Sequence, residues 1–111
     1  MMGATERRKG KKAEMDVVHY MRDCGWEAAT TRSTSGHQEG DDIVTNAPVS
    51  IEVKNHVRLD LSAWVAQAES NSGELPGIVW HKKRGESSPS RWYVTMSGEN
   101  LMKLLGKPDD V

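Results

Sequence analysis

Hydrophobic and polar positions alternate along the chain with two different periods, and the changes of period mark the elements. From Lys11 to about Cys24 the period is helical, with Gly25 where a helix-ending residue belongs. Val17, Val18 and Met21 make one stripe, and Glu14 falls on that same stripe, which places a carboxylate on the core-facing side. Residues 26–32 suit a strand, and 33–40 form a polar, glycine-flanked loop. The spacing then predicts a hairpin of 42–45 and 49–55 around Asn46-Ala47-Pro48. In its second strand Val49, Ile51 and Val53 share one face, and Ser50, Glu52 and Lys54 the other.

Asp60 is a suitable N-cap for a helix running to about Ser70, with Leu61, Trp64, Val65 and Ala68 as its apolar stripe. Strands are expected at 78–83 and 91–96. Ser97 then caps a last helix with Leu101, Leu104 and Leu105 inward, stopped by Gly106 and Pro108. The order α-β-β-β-α-β-β-α predicts an α/β (α+β) fold, one mixed sheet flanked by helices. At 111 residues this is one domain, 13–106, with a flexible basic arm at 1–12 and a short tail at 107–111.

Composition narrows the classes. The single cysteine, Cys24, excludes an internal disulfide framework or a Cys-rich zinc module, and its place at a helix end suits a small buried side chain. No apolar run reaches the ~20 residues of a membrane span, and no apolar core follows the basic start as in a secretion signal. A cytoplasmic protein is expected. With no Phe in the chain, Trp64, Trp80 and Trp92 are needed as core.

The net charge of −1 hides a segregation. Five cations sit between Arg7 and Lys12, and Lys82, Lys83 and Arg84 are contiguous. Residues 36–60 between them carry five carboxylates against two cations. Two basic segments around an acidic middle suit phosphate contacts around a metal site, as well as a solvated surface. None of His19, His37, His56 and His81 has metal-ligand spacing with another; His56 lies near Lys54, and His37 in the polar loop.

The chemistry concentrates on Asp42 and Glu52-Val53-Lys54. Strand alternation sets Glu52 and Lys54 side by side, and the hairpin brings Asp42 toward them. Two carboxylates with an ammonium beside them suit Mg²⁺, which takes oxygen ligands and commonly only one or two carboxylates plus substrate phosphate. Glu52 and Lys54 also read as an ordinary cross-strand pair on an exposed face. Ser33, Thr34 and Ser35 can hydrogen-bond phosphates or simply make turns, and Gln67 can face the sheet or solvent.

The segments Arg8-Lys9-Gly10-Lys11-Lys12-Ala13-Glu14, Thr31-Arg32-Ser33-Thr34-Ser35, Asp42-Ile43-Val44 and Ile51-Glu52-Val53-Lys54 resemble the PD-(D/E)XK nuclease superfamily. Within it they are most similar to archaeal-type Holliday-junction resolvases. The second half, Trp80 to Gly85 and Arg91 to Val94, looks more like phage-encoded members. The resemblance runs in order through about residues 8–70. It implies a restriction-endonuclease-like core and a Mg²⁺-dependent endodeoxyribonuclease, with Mn²⁺ as a substitute. It also implies that Glu14, Asp42 and Glu52 are metal ligands, that Lys54 is the catalytic lysine, and that Ser33 and Gln67 match further site positions. Asp41 stands where the family has its proline; Asp42 is taken as the ligand because Ile43-Val44 follow it. The expected partners are branched DNA and a second copy of the chain. DNA contacts are expected from Arg7, Arg8, Lys9, Lys11, Lys12, Arg32, Ser35, Lys82, Lys83 and Arg84.

Overall fold

A computed structural model describes residues 4–31 and 42–108. Helix α1 (Ala4–Asp23) leads into strands β1 (Ala28–Thr30), β2 (Ile43–Thr45) and β3 (Ser50–Lys54). Helix α2 (Leu61–Asn71), β4 (Gly77–His81), a short 3-10 turn (Pro89–Arg91), β5 (Tyr93–Thr95) and α3 (Gly98–Leu105) follow. The fold is mixed α/β in the expected order, but the strands fall in two sheets, β1-β2 and β3-β4-β5, rather than the one mixed sheet expected. Among the described residues no helix is long and apolar enough to cross a membrane.

Helix α1 starts seven residues before Lys11, so the basic segment expected as a flexible arm is helical from Ala4. Its alanine, glutamate, arginine and lysines are strong helix formers, and Gly10 costs only about 1 kcal/mol against alanine. The other end is fixed by backbone geometry. Gly25 takes φ +100° and donates to the Arg22 carbonyl, while the Trp26 amide reaches back to Met21. This paired closure satisfies two carbonyls at the helix end and requires the left-handed conformation that glycine adopts at no steric cost. Cys24, expected to be buried there, is exposed. It occupies the cap itself, where the chain turns away from the core.

Strands β3 and β4 run parallel, with Glu52 opposite Val79 and Lys54 opposite His81, and β5 pairs antiparallel to β4. A parallel pair needs a crossover, and α2 supplies it. The alternation of β3 then sends its residues to two different layers. Val49, Ile51 and Val53 pack with Ala13, Val17, Val18 and Met21 of α1. On the other side Trp64 and Ala68 of α2 cover Val79. Helix α2 lies so close to β4 that a Cβ on Gly77 would meet the Ala68 carbonyl oxygen at 2.5 Å. Trp64 and Trp92 are buried and Trp80 packs against the α1 layer, as the lack of Phe demands.

Two expectations are corrected here. Residues 42–45 and 49–55 do not form a ladder-paired hairpin; β2 pairs with β1 instead, Ala28 opposite Thr45. One backbone bond joins Asp42 to Ile51, and beyond it the Asp42 side chain, not a backbone carbonyl, accepts from the Val53 amide at 2.7 Å. Leu101, Leu104 and Leu105 do not face the core; they are 39%, 36% and 65% exposed. The buried residue of α3 is Asn100, which donates to Glu69 Oε2 at 3.0 Å and the Gly77 carbonyl at 3.1 Å. Ser97 caps α3 as expected, accepting from the Asn100 amide. The polar anchor turns the leucines outward.

Candidate functional site

Glu52 lies in the middle of β3 and points into the α2 layer, where it is 1% exposed. A carboxylate so placed must find donors or take up a proton. Asn71 at the end of α2 donates to its Oε1 at 2.8 Å. The Asp42 carboxyl lies within side-chain hydrogen-bonding reach. Burial first, and the neighbouring Asp42 charge second, push the Glu52 carboxyl up from its ordinary 4.5 to about 7, while Asn71 and Lys54 pull the other way. Two carboxyls therefore lie side by side in a place that disfavours the charge on Glu52.

Two residues further along the same face, Lys54 donates from Nζ to Gln67 Oε1 at 2.7 Å. The two contacts are in step for a geometric reason. Four residues of helix advance about 6 Å, and two residues of strand advance about 6.6 Å. Gln67 and Asn71, one turn apart on α2, thus meet Lys54 and Glu52, which share one face of β3. Asp42 is held independently by its bond from the Val53 amide.

No family model matches the chain, and no curated protein or solved structure is significantly similar to it.

The structure thus brings together Asp42, Glu52, Lys54 and Gln67 of the residues singled out in the sequence. Glu14 is buried on α1, the helix that covers the opposite face of β3. Among the described residues no three His, Cys, Asp or Glu side chains converge closely enough to hold a metal ion. The acidic group at the site is accordingly a pair. Arg32, Ser33, Ser35, His37 and Asp41, with the side chain of Arg7, lie outside the described residues. Arg8, Lys9, Lys11 and Lys12 are exposed along α1, as are Lys83 and Arg84 beyond β4. Lys82 is half-buried and its amide bonds to the Lys54 carbonyl, so the basic turn after β4 begins directly beside the site.

Asn71 was not singled out in the sequence. Its signal was its spacing, four residues after Gln67 on a helix over a polar strand face. That signal becomes legible only once α2 is known to run over Glu52.

The donor set fits a hard divalent cation. Carboxylate oxygens are what Mg²⁺ selects, and a pair of them with water and substrate phosphate is a common complement. A buried Glu52 carboxyl, raised to about 7 beside the half-buried Asp42, has the charge such a cation neutralises.

Proposed function

We propose that this protein is a metal-dependent endonuclease that hydrolyses DNA phosphodiester bonds, with branched four-way DNA as its preferred substrate. The observation that carries the reading is the Asp42–Glu52 carboxyl pair with the Lys54 ammonium held beside it by Gln67. The resemblance of the same residues to PD-(D/E)XK nucleases supports it independently of the geometry.

Asp42 and Glu52 would hold Mg²⁺, or Mn²⁺ in its place, as a pair; the third carboxylate that the resemblance assigns to Glu14 sits on the helix over the opposite face of β3 and does not join them. Such a cation supplies charge stabilisation at the attacked phosphate and a more acidic bound water. Lys54 orients the attacking water or stabilises the charge developing on the phosphate oxygens. Gln67, by accepting from the ammonium, restricts where that charge sits. The Asn71 amide holds Glu52 in place while leaving its other oxygen free of that bond. Water adds to phosphorus and the P–O3′ bond breaks, leaving a 5′-phosphate and a 3′-hydroxyl. Lys9, Lys11, Lys12, Lys82, Lys83 and Arg84 would supply salt-dependent affinity without sequence preference. Paired nicks across a junction call for a homodimer, two-fold symmetry being the commonest assembly. A cytoplasmic setting follows from the same reading.

The test is cleavage of an end-labelled four-way junction beside linear duplex and single strand of the same sequence, in Mg²⁺, in EDTA and with Glu52→Ala. Symmetric paired nicks in the junction alone, lost in EDTA and in the variant, are expected. Equal cutting of linear DNA would keep the nuclease and remove the junction preference. Tight DNA binding with no cutting by folded protein would reduce the chain to a binding module.

A further inference from the structure

Two basic segments some seventy residues apart in the chain meet at one cleft. Lys9 and Lys12 come from α1, and Lys82 and Arg84 from the turn after β4. Between them His56 and its neighbours continue directly from the end of β3. The cleft encloses about 350 Å³, a volume at the lower end of small-molecule sites, which run about 300–1,000 Å³. Its one acidic wall residue is Asp16, which engages Lys12 at 3.0 Å. Four cations against one carboxylate, in a chain of net charge −1, is a strong local excess. The segments are tied to each other: Asn55 Nδ2 contacts the Lys9 carbonyl at 3.5 Å, and the Lys82 amide donates to the Lys54 carbonyl. Lys82 is further braced with Nζ 5.6 Å from the centre of the Trp92 ring, whereas Lys83 turns away over Tyr93. The two neighbouring lysines are thus sorted, one into the cleft and one out of it.

We propose that this cleft is a phosphate-binding subsite, taking one phosphate group with its attached sugar and so fixing the register of a nucleic-acid strand against the carboxyl pair. The inference rests on the nuclease reading for its role in register, and on the convergence of Lys9, Lys12, Lys82 and Arg84 for the binding itself. A diffuse basic surface raises affinity everywhere along a strand. A cleft that begins at Asn55, the residue after Lys54, selects one phosphate and places its neighbour. The phosphate can belong to an internal phosphodiester or to a 5′-phosphorylated end; both present the same anionic oxygens to the same cations.

The experiment is an NMR titration of the full chain in EDTA with inorganic phosphate at constant ionic strength, following the amides of Asn55, Val57 and Gly85. Saturable shifts at these amides are expected, weakened about tenfold or more in Lys9→Gln/Arg84→Gln, as loss of charge-assisted bonds implies. Lys103→Gln/Lys107→Gln removes the same charge from positions outside the cleft and leaves the titration unchanged. Equal weakening in both double variants, or no saturation, overturns the proposal. Repeating it with 5′-phosphorylated and 5′-hydroxyl single strands separates the sources: a preference for the first assigns a strand end, and equal affinity assigns an internal phosphate. The two readings fail separately. Phosphate bound at these amides by a protein that cuts no DNA sinks the nuclease alone, whereas DNA cutting without the phosphate shifts sinks the cleft alone.

Discussion

Replacing Glu52 by Gln should stabilise the protein in EDTA at pH 8 and leave it nearly unchanged at pH 5. Glutamine keeps the volume, its carbonyl can accept from Asn71 as Glu52 Oε1 does, and its amide can donate to Asp42. The sign follows from proton binding. With the folded carboxyl at about 7 and its ordinary value 4.5, the folded state holds a proton between these values that the unfolded state has released. Stability is therefore fully present below 4.5, falls as the pH rises through the interval, and levels above 7. The displacement corresponds to about 3 kcal/mol, at ~1.4 kcal/mol per pH unit. For a domain of this size that is about 10 °C in melting temperature. Thermal unfolding of both proteins across pH 5–8.5, in EDTA and in Mg²⁺, measures it. Mg²⁺ should close the gap at pH 8, because the native protein binds the cation and the Gln variant loses a ligand. An internal check is Asn71→Ala, which removes a donor to the carboxylate and should enlarge the pH-dependent loss and carry it to higher pH. A gap of equal size at pH 5 and pH 8, or none at either, would falsify the account of Glu52.

Three further outcomes are expected. Gly77→Ala forces a Cβ against the Ala68 carbonyl and should cost about 1–3 kcal/mol in urea unfolding by overpacking; a neutral variant would mean that α2 is not seated on β4 as described. Burial holds the His81 imidazole below its ordinary 6.5, so the unfolded chain takes the proton first and stability falls as the pH drops below about 6.5. The stability advantage of wild type over His81→Gln should therefore shrink from pH 7.5 toward pH 5, and a constant difference would refute it. Leu105→Glu should change stability by no more than about 0.5 kcal/mol, as for an exposed position; a loss of ~2 kcal/mol or more would put that leucine in the core after all.

The legibility of the fold in the sequence tracked how local each determinant was. The Val17, Val18, Met21 stripe, the Gly25 helix end and the Ser97 cap each depend on a few adjacent residues and were readable. The alternation of β3 was readable too, and it placed Glu52 and Lys54 on a common face. That the face is buried under α2, rather than exposed, was not readable, because burial there depends on a crossover helix that returns over the strand. The same non-local fact hid Asn71. Strand pairing was the other failure. Residues 42–45 and 49–55 are close in sequence and carry hairpin-like turn residues, yet the partner of β2 is β1, and Asp42 spends its side chain on the Val53 amide where a ladder would have used backbone. The outward leucines of α3 misled for a related reason: a strong apolar period shows which face is apolar but not whether anything covers it.

The matched advance of helix and strand has a consequence for how this chain can vary. Glu52 meets Asn71 and Lys54 meets Gln67 only while β3 and α2 keep their phase. One residue inserted into β3 would turn Glu52 toward the α1 layer, and one inserted between Gln67 and Asn71 would swing the second contact about 100° around the helix axis. Length changes inside these two elements are thus coupled and nearly forbidden. Drift in the lineage of this protein should therefore show rigid spacing from 50 to 54 and from 67 to 71.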